Sequence, residues 1–141
     1  MVWDPEDMGS VPNVLVNQGR YEPIERACLL EAGSGAHVIF DVGANVGYYS
    51  LHWASRIASG GRIYAFEPVP SSFAWFSRNI ALNQLDSVIL PQDCGLGNAT
   101  GMFSIFVPDF MGSGAASIKK RISLASCCRL KRGTCCDRAA G

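Results

Sequence analysis

The chain has 141 residues, 48% of them hydrophobic, which suffices for one core and excludes a second domain of ordinary size. Its formal charge is zero, yet residues 1–118 carry five basic side chains against eleven acidic ones, while the stretch from Lys119 on carries seven against Asp137 alone. An acidic body leaves no nucleic-acid footprint, the acidic start lacks the basic and apolar parts of a secretory signal, and no apolar run nears the ~18 residues of a membrane span, so a cytoplasmic protein is expected.

Residues 11–19 are mixed and turn-rich, and 22–31 read as a helix with Ile24, Ala27, Cys28 and Leu30 on one side, stopped at Gly33-Ser34-Gly35. Residues 37–42 form a short, nearly continuous apolar run, the pattern of a strand covered on both faces and central in a parallel sheet. A helix is expected over 47–58, with Leu51, Ala54, Ile57 and Ala58 at helical spacing, then a second buried strand over 62–67. Pro70 starts a further helix that runs through Leu85 on Phe73, Phe76, Ile80 and Leu82. Strands are expected over 87–90 and 101–107. Repeated strand-helix-strand units favour a parallel α/β sheet.

The two buried strands frame the chemistry. The first ends in Asp41-Val42-Gly43-Ala44-Asn45-Val46-Gly47, and Glu67 ends the second. Where a parallel strand meets the next helix, free N–H groups and the helix dipole face a crevice. Gly43 and Gly47 lack the Cβ that holds a ligand off the main chain, and Gly43 can take a positive φ. Glu67 follows at about the distance, ~20 residues, at which a carboxylate accepts ribose hydroxyls in a nucleoside site. Two ligands fit this outline, a dinucleotide and S-adenosylmethionine. A dinucleotide turn needs G-x-G-x-x-G against the pyrophosphate, but here Asn45 stands at the middle glycine and Tyr48 at the last. Asp41 adds an anion that repels pyrophosphate and suits an ammonium and a sulfonium, so the electrostatics select S-adenosylmethionine. Asp41 alone reads equally well as a cap of its own turn.

These residues resemble the FkbM-type class I S-adenosylmethionine-dependent methyltransferases. The likeness covers roughly residues 19–118. It is carried by Asp41 through Ser50, Phe66-Glu67-Pro68-Val69-Pro70 and Arg78-Asn79-Ile80-Ala81-Leu82-Asn83. Gly19-Arg20-Tyr21-Glu22-Pro23, the 95–101 segment and the 112–117 segment add to it in order. The resemblance implies a Rossmann-like fold and methyl transfer to a hydroxyl oxygen of a sugar, polyketide or similar small metabolite. It also implies that Asp41, Gly43, Asn45 and Gly47 surround the methionine part of the cofactor, that Glu67 holds the ribose hydroxyls, and that Asp93 meets the adenine amino group. No nucleic-acid or membrane partner is expected.

The family continues past its Ser-rich loop into a strand carrying an Asp-x-Glu-Gly-type segment, and nothing of that kind follows Ser117. The expected organisation is therefore a lead-in over 1–18, a partial methyltransferase domain over 19–118 whose sheet is incomplete at its C-terminal side, and a basic tail over 119–141 that is disordered or non-native. Cys28 and Cys94 read as buried thiols. Cys127-Cys128 and Cys135-Cys136 lack the two-to-four-residue gap of a zinc knuckle, so no metal is expected. His37 and His52 read as structural, and no catalytic base is named. An inert fragment keeping the cofactor half-site is the alternative reading, ahead of a NAD-binding domain.

Overall fold

A computed structural model describes residues 1–3, 11–98, 100–105, 107 and 126–132. Among these residues four helices, α1 (Val11–Gln18), α2 (Pro23–Ala32), α3 (Tyr48–Ala54) and α4 (Pro70–Leu82), accompany six strands. β1 (Val38–Val42), β2 (Arg62–Phe66) and β3 (Ile89–Gln92) form a parallel sheet in the order β1-β2-β3. β4 (Cys94–Gly97), β5 (Gly101–Ile105) and β6 (Ser126–Arg132) form a second sheet, with β6 between the other two. Part of the basic tail is thus a strand, while Cys135, Cys136 and the 112–117 segment lie outside the described residues.

Alternation along the strands decides where the core sits. Ile39, Ile63 and Ile89 are laterally paired in register and face the helices. Leu30 of α2, Trp53 of α3 and Phe76 and Ile80 of α4 close over them. Phe76 is fully buried and contributes about 1.5–3 kcal/mol by leaving water. The Trp53 indole donates to the Leu29 carbonyl at 2.9 Å and packs on Gly33, which locks α2 to α3.

Several sequence expectations change. Among the described residues β1 is an edge strand of its sheet, and its second face is open: Val38, Phe40 and Val42 are 52%, 53% and 61% exposed. Phe40 stacks on Tyr64 at 5.5 Å and on Phe66 at 6.5 Å, forming an aromatic row on that face. All packing helices among the described residues lie on the other side, so the strand has the composition of two-sided burial with one side covered. Residues 11–18 are helical, because Val11, Val14 and Leu15 recur at helical spacing inside a stretch whose Pro and Asn suggest turns. The helix expected over 47–58 stops at Ala54, where Ser55 caps it and the chain turns through hydrogen bonds from Arg56 and Ile57 to Trp53. The helix expected to run through Leu85 ends at Leu82, where Asn83 caps it. The third strand starts two residues later than its composition suggests, and β4 had no alternating signal to mark it. Cys94 is buried, but Cys28 is exposed because it lies on the outer side of α2.

Gly47 is where the core meets the glycine loop. Its φ is 90°, and a Cβ there would run into the ring of Phe76. Its missing side chain therefore makes room for α4 rather than for a ligand. Gly60 has a φ of 77° with nothing near its Cβ position. Gly47→Ala is expected to cost about 2–5 kcal/mol, strain plus overpacking, and Gly60→Ala only about 1–2 kcal/mol, by urea denaturation.

Candidate functional site

β1 and β2 end side by side, and the loop after β1 crosses the end of β2. The Gly43 and Ala44 amides both donate to the Phe66 carbonyl, at 2.9 and 3.1 Å. Gly43, Asn45 and Gly47 all take positive φ, at 85°, 51° and 90°, so the loop is a run of left-handed turns leading into α3. Only Asn45 among them bears a side chain, and Asn is a residue that tolerates this region. Among the described residues, its two chain neighbours aside, no atom lies within 4 Å of the position a Gly43 Cβ would take, so the backbone there is open to a ligand.

Glu67 closes the loop. One carboxylate oxygen accepts the Asn45 amide at 2.7 Å, and the other accepts the Val69 amide at 2.8 Å. The residue is 5% exposed. Each oxygen keeps a further lone pair for a hydroxyl donor. Asp41 is also buried, and its carboxylate accepts the Ser50 hydroxyl at 2.6 Å. Asp41 thus pins the inner side of α3 to the end of β1. Asp93 is exposed in the turn between β3 and β4, beside the same sheet end, where the Glu67 amide donates to the Gln92 carbonyl at 3.0 Å.

Burial pushes both Asp41 and Glu67 above the ordinary carboxylate range, and it outweighs the hydrogen bonds that pull each of them down. The Asp41 charge raises Glu67 further. Two buried anions with no described cation beside them disfavour a pyrophosphate and suit a cationic ligand, so Gly43, Asp41 and Glu67 fit S-adenosylmethionine. Among the described residues no group of three or more His, Cys, Asp or Glu side chains could hold a metal ion.

The structure brings Asp41, Gly43, Asn45, Gly47 and Glu67 together and leaves both histidines elsewhere. His37 precedes β1 at the opposite end of the sheet, with its carbonyl bonded to the Arg62 amide, about five residues or roughly 16 Å from Glu67 along the strand. His52 lies in α3 with Nδ1 2.7 Å from the Tyr48 carbonyl. Two polar residues escape a motif-based reading. Ser50 orients Asp41. Asn79 is fully buried and donates to the carbonyls of Val2 and Val46, both at 2.9 Å, tying residues 1–3 to the glycine loop. Its signal was an amide on the same face of α4 as Phe76 and Ile80.

The raised carboxylates fix a sign. A folded-state pKa above the unfolded one means that the native state binds more protons, so stability falls as pH rises from the ordinary carboxylate range through the raised values. Asp41→Asn keeps an acceptor for Ser50 and removes the buried charge. It is expected to unfold at a higher denaturant concentration than the parent at pH 7, with the difference shrinking toward pH 4.

A family model described as the TRM5/TYW2 methyltransferase domain matches residues 13–106. The chain is 32% identical over 96 residues to Methyltransferase sdnD of Sordaria araneosa, covering 67% of this chain and 37% of that protein. It is 34% identical over 76 residues to Methyltransferase 1 of Beauveria bassiana, covering 53% and 30%. The chain therefore spans about a third of the length of the curated relatives it matches. Among solved structures it resembles the O-methyltransferase from Bacillus cereus in complex with SAH, with a TM-score of 0.48 and 22% identity over 57% of this chain and 39% of that one. No helix among the described residues is long and apolar enough to cross a membrane. The chain belongs to the TRM5/TYW2 methyltransferase domain family, and so to the class I S-adenosylmethionine-dependent methyltransferases.

Proposed function

We propose that this chain carries the cofactor half of an FkbM-type enzyme that methylates a hydroxyl oxygen of a sugar, polyketide or similar small metabolite in the cytoplasm. The observation that carries the reading is Glu67, a buried carboxylate at the end of β2 whose two oxygens already hold the glycine loop in place. S-adenosylmethionine, when bound, supplies a methyl group on a cationic sulfur, an electrophile that needs alignment and a dry pocket more than acid catalysis.

In this reading Glu67 accepts the ribose hydroxyls with its remaining lone pairs. Gly43, with open space at its Cβ position, lets the methionine part approach the backbone. Asn45 and Gly47 shape the loop around it, and Asp93 reaches the adenine amino group from the end of β3. Asp41 acts through its field and by holding α3 against β1. Neither histidine lies at this sheet end, so the base that takes the acceptor's proton is assigned to no residue here. A small acceptor suits a body with more acids than bases better than a nucleic acid does.

A second reading has an observation of its own. Among the described residues the sheet carrying the site has three strands and one open apolar face, an arrangement that can hold the cofactor without an acceptor pocket.

Calorimetry with S-adenosylhomocysteine, NAD and the parent chain is expected to give heat with the first alone; heat with NAD alone overturns the reading. Glu67→Ala should weaken that binding by about 2–4 kcal/mol, roughly 30- to 1,000-fold. Because hydroxyl donors favour ionised Glu67, affinity should fall as pH drops through its raised range. Incubation with labelled cofactor and panels of hydroxylated metabolites or RNA separates the readings: label in a metabolite supports the enzyme, label in RNA reassigns the acceptor, and binding without transfer supports the half-site.

A further inference from the structure

A cavity of about 400 Å³ lies on the far side of α3 from Asp41. Tyr48, Leu51, His52 and Ser55 line it, at the i, i+3, i+4, i+7 spacing of one helix face, whereas Ser50 points inward to Asp41. The helix therefore separates this cavity from the cofactor residues. Its opposite wall includes Arg20 and Arg26.

The chain is bent to bring these two arginines to one place. Gly19 and Glu22 both take left-handed conformations, with φ of 68° and 42°, and the second is a strained one for glutamate. The turn starts α2, with the Arg26 amide donating to the Glu22 carbonyl at 2.7 Å. Glu22 precedes Arg26 by one helical turn and would be its natural partner. Instead its carboxylate accepts the Tyr49 hydroxyl at 2.6 Å. Among the described residues neither arginine has a carboxylate partner, and no acidic side chain lines the cavity. His52 contributes a further group. The Tyr48 carbonyl can only accept, so Nδ1 carries a proton toward it, and Nε2 of the neutral ring is an acceptor that suits the hydroxyl of a hydrogen phosphate or an acid rather than a bare anionic oxygen.

Two guanidinium groups with no carboxylate partner among the described residues, beside the Asn83 amide, one N–H of which goes to the Asn79 carbonyl, match an oxyanion, which Arg can bind through paired N–H donors. Leu15 and Leu51 add an apolar wall, and the volume is within the range of small-molecule sites. We propose that this cavity binds the anionic group of a small oxyanion-bearing ligand, a phosphate ester or a carboxylate, at a site distinct from the cofactor's. The inference does not depend on the proposed methyl acceptor.

The test titrates the full chain at constant ionic strength with inorganic phosphate in one arm and citrate in the other, read by calorimetry and by side-chain NMR shifts. Saturable one-to-one binding in either arm is expected, with shifts at Arg26 and His52; the arm that saturates more tightly identifies the ligand chemistry. Arg26→Ala should weaken it at least tenfold, Arg20→Ala with Arg26→Ala should abolish it, and saturating S-adenosylhomocysteine should leave it unchanged. Absence of saturation in both arms overturns the proposal. So do shifts confined to other residues of the parent chain, a reading that needs no variant to fold, and equal affinity in the folded double variant.

Discussion

The rest of the structure depends on one carboxylate. Glu67 ends β2, and its two oxygens receive the amides of Asn45 and Val69, so one side chain fixes both the glycine loop after β1 and the turn into α4. That loop is left-handed at three positions, and Glu67 works with the Phe66 carbonyl and the Asn79 amide to keep it in place. Burying the anion is unfavourable, which is why its proton affinity is raised, and the hydrogen bonds offset only part of that cost. A site that stores an unfavourable charge in the free protein can recover it when hydroxyl donors and a positive ligand arrive. Stability and binding are thus opposed at Glu67, as they are at Asp41.

The same economy of position holds for the elements around it. Ser50 and Asn79 look like ordinary polar residues on helices, yet one orients Asp41 and the other joins Val2, Val46 and α4. Gly47 exists for the Phe76 ring, and Gly43 for its backbone angle and the open space beside it. The two glycines of one motif therefore answer to different neighbours.

Much of this was legible in the sequence because local and global signals agree there. The apolar runs before Asp41 and Glu67, the glycine breaks and Pro70 mark β1, β2 and the start of α4 with little ambiguity. Helix α1 was not legible, since Pro12, Asn13 and Asn17 obscure a short apolar period. Among the described residues β1 lies at an edge although Val38, Phe40 and Val42 encode a second buried face, because composition does not say which element covers it. Partners that lie far apart in sequence, such as Glu22 with Tyr49 or Asn79 with Val2, leave no pattern for spacing rules to find.

The central claim is that the crevice between Gly43 and Glu67 receives the cofactor. Backbone amide shifts of the isotope-labelled full chain, followed as S-adenosylhomocysteine is added, test it most directly. The account predicts the largest changes at Gly43, Asn45, Glu67 and Asp93, with the amides of the outer face of α3 little affected. Saturable binding whose shifts avoid Gly43, Asn45 and Glu67 would contradict it.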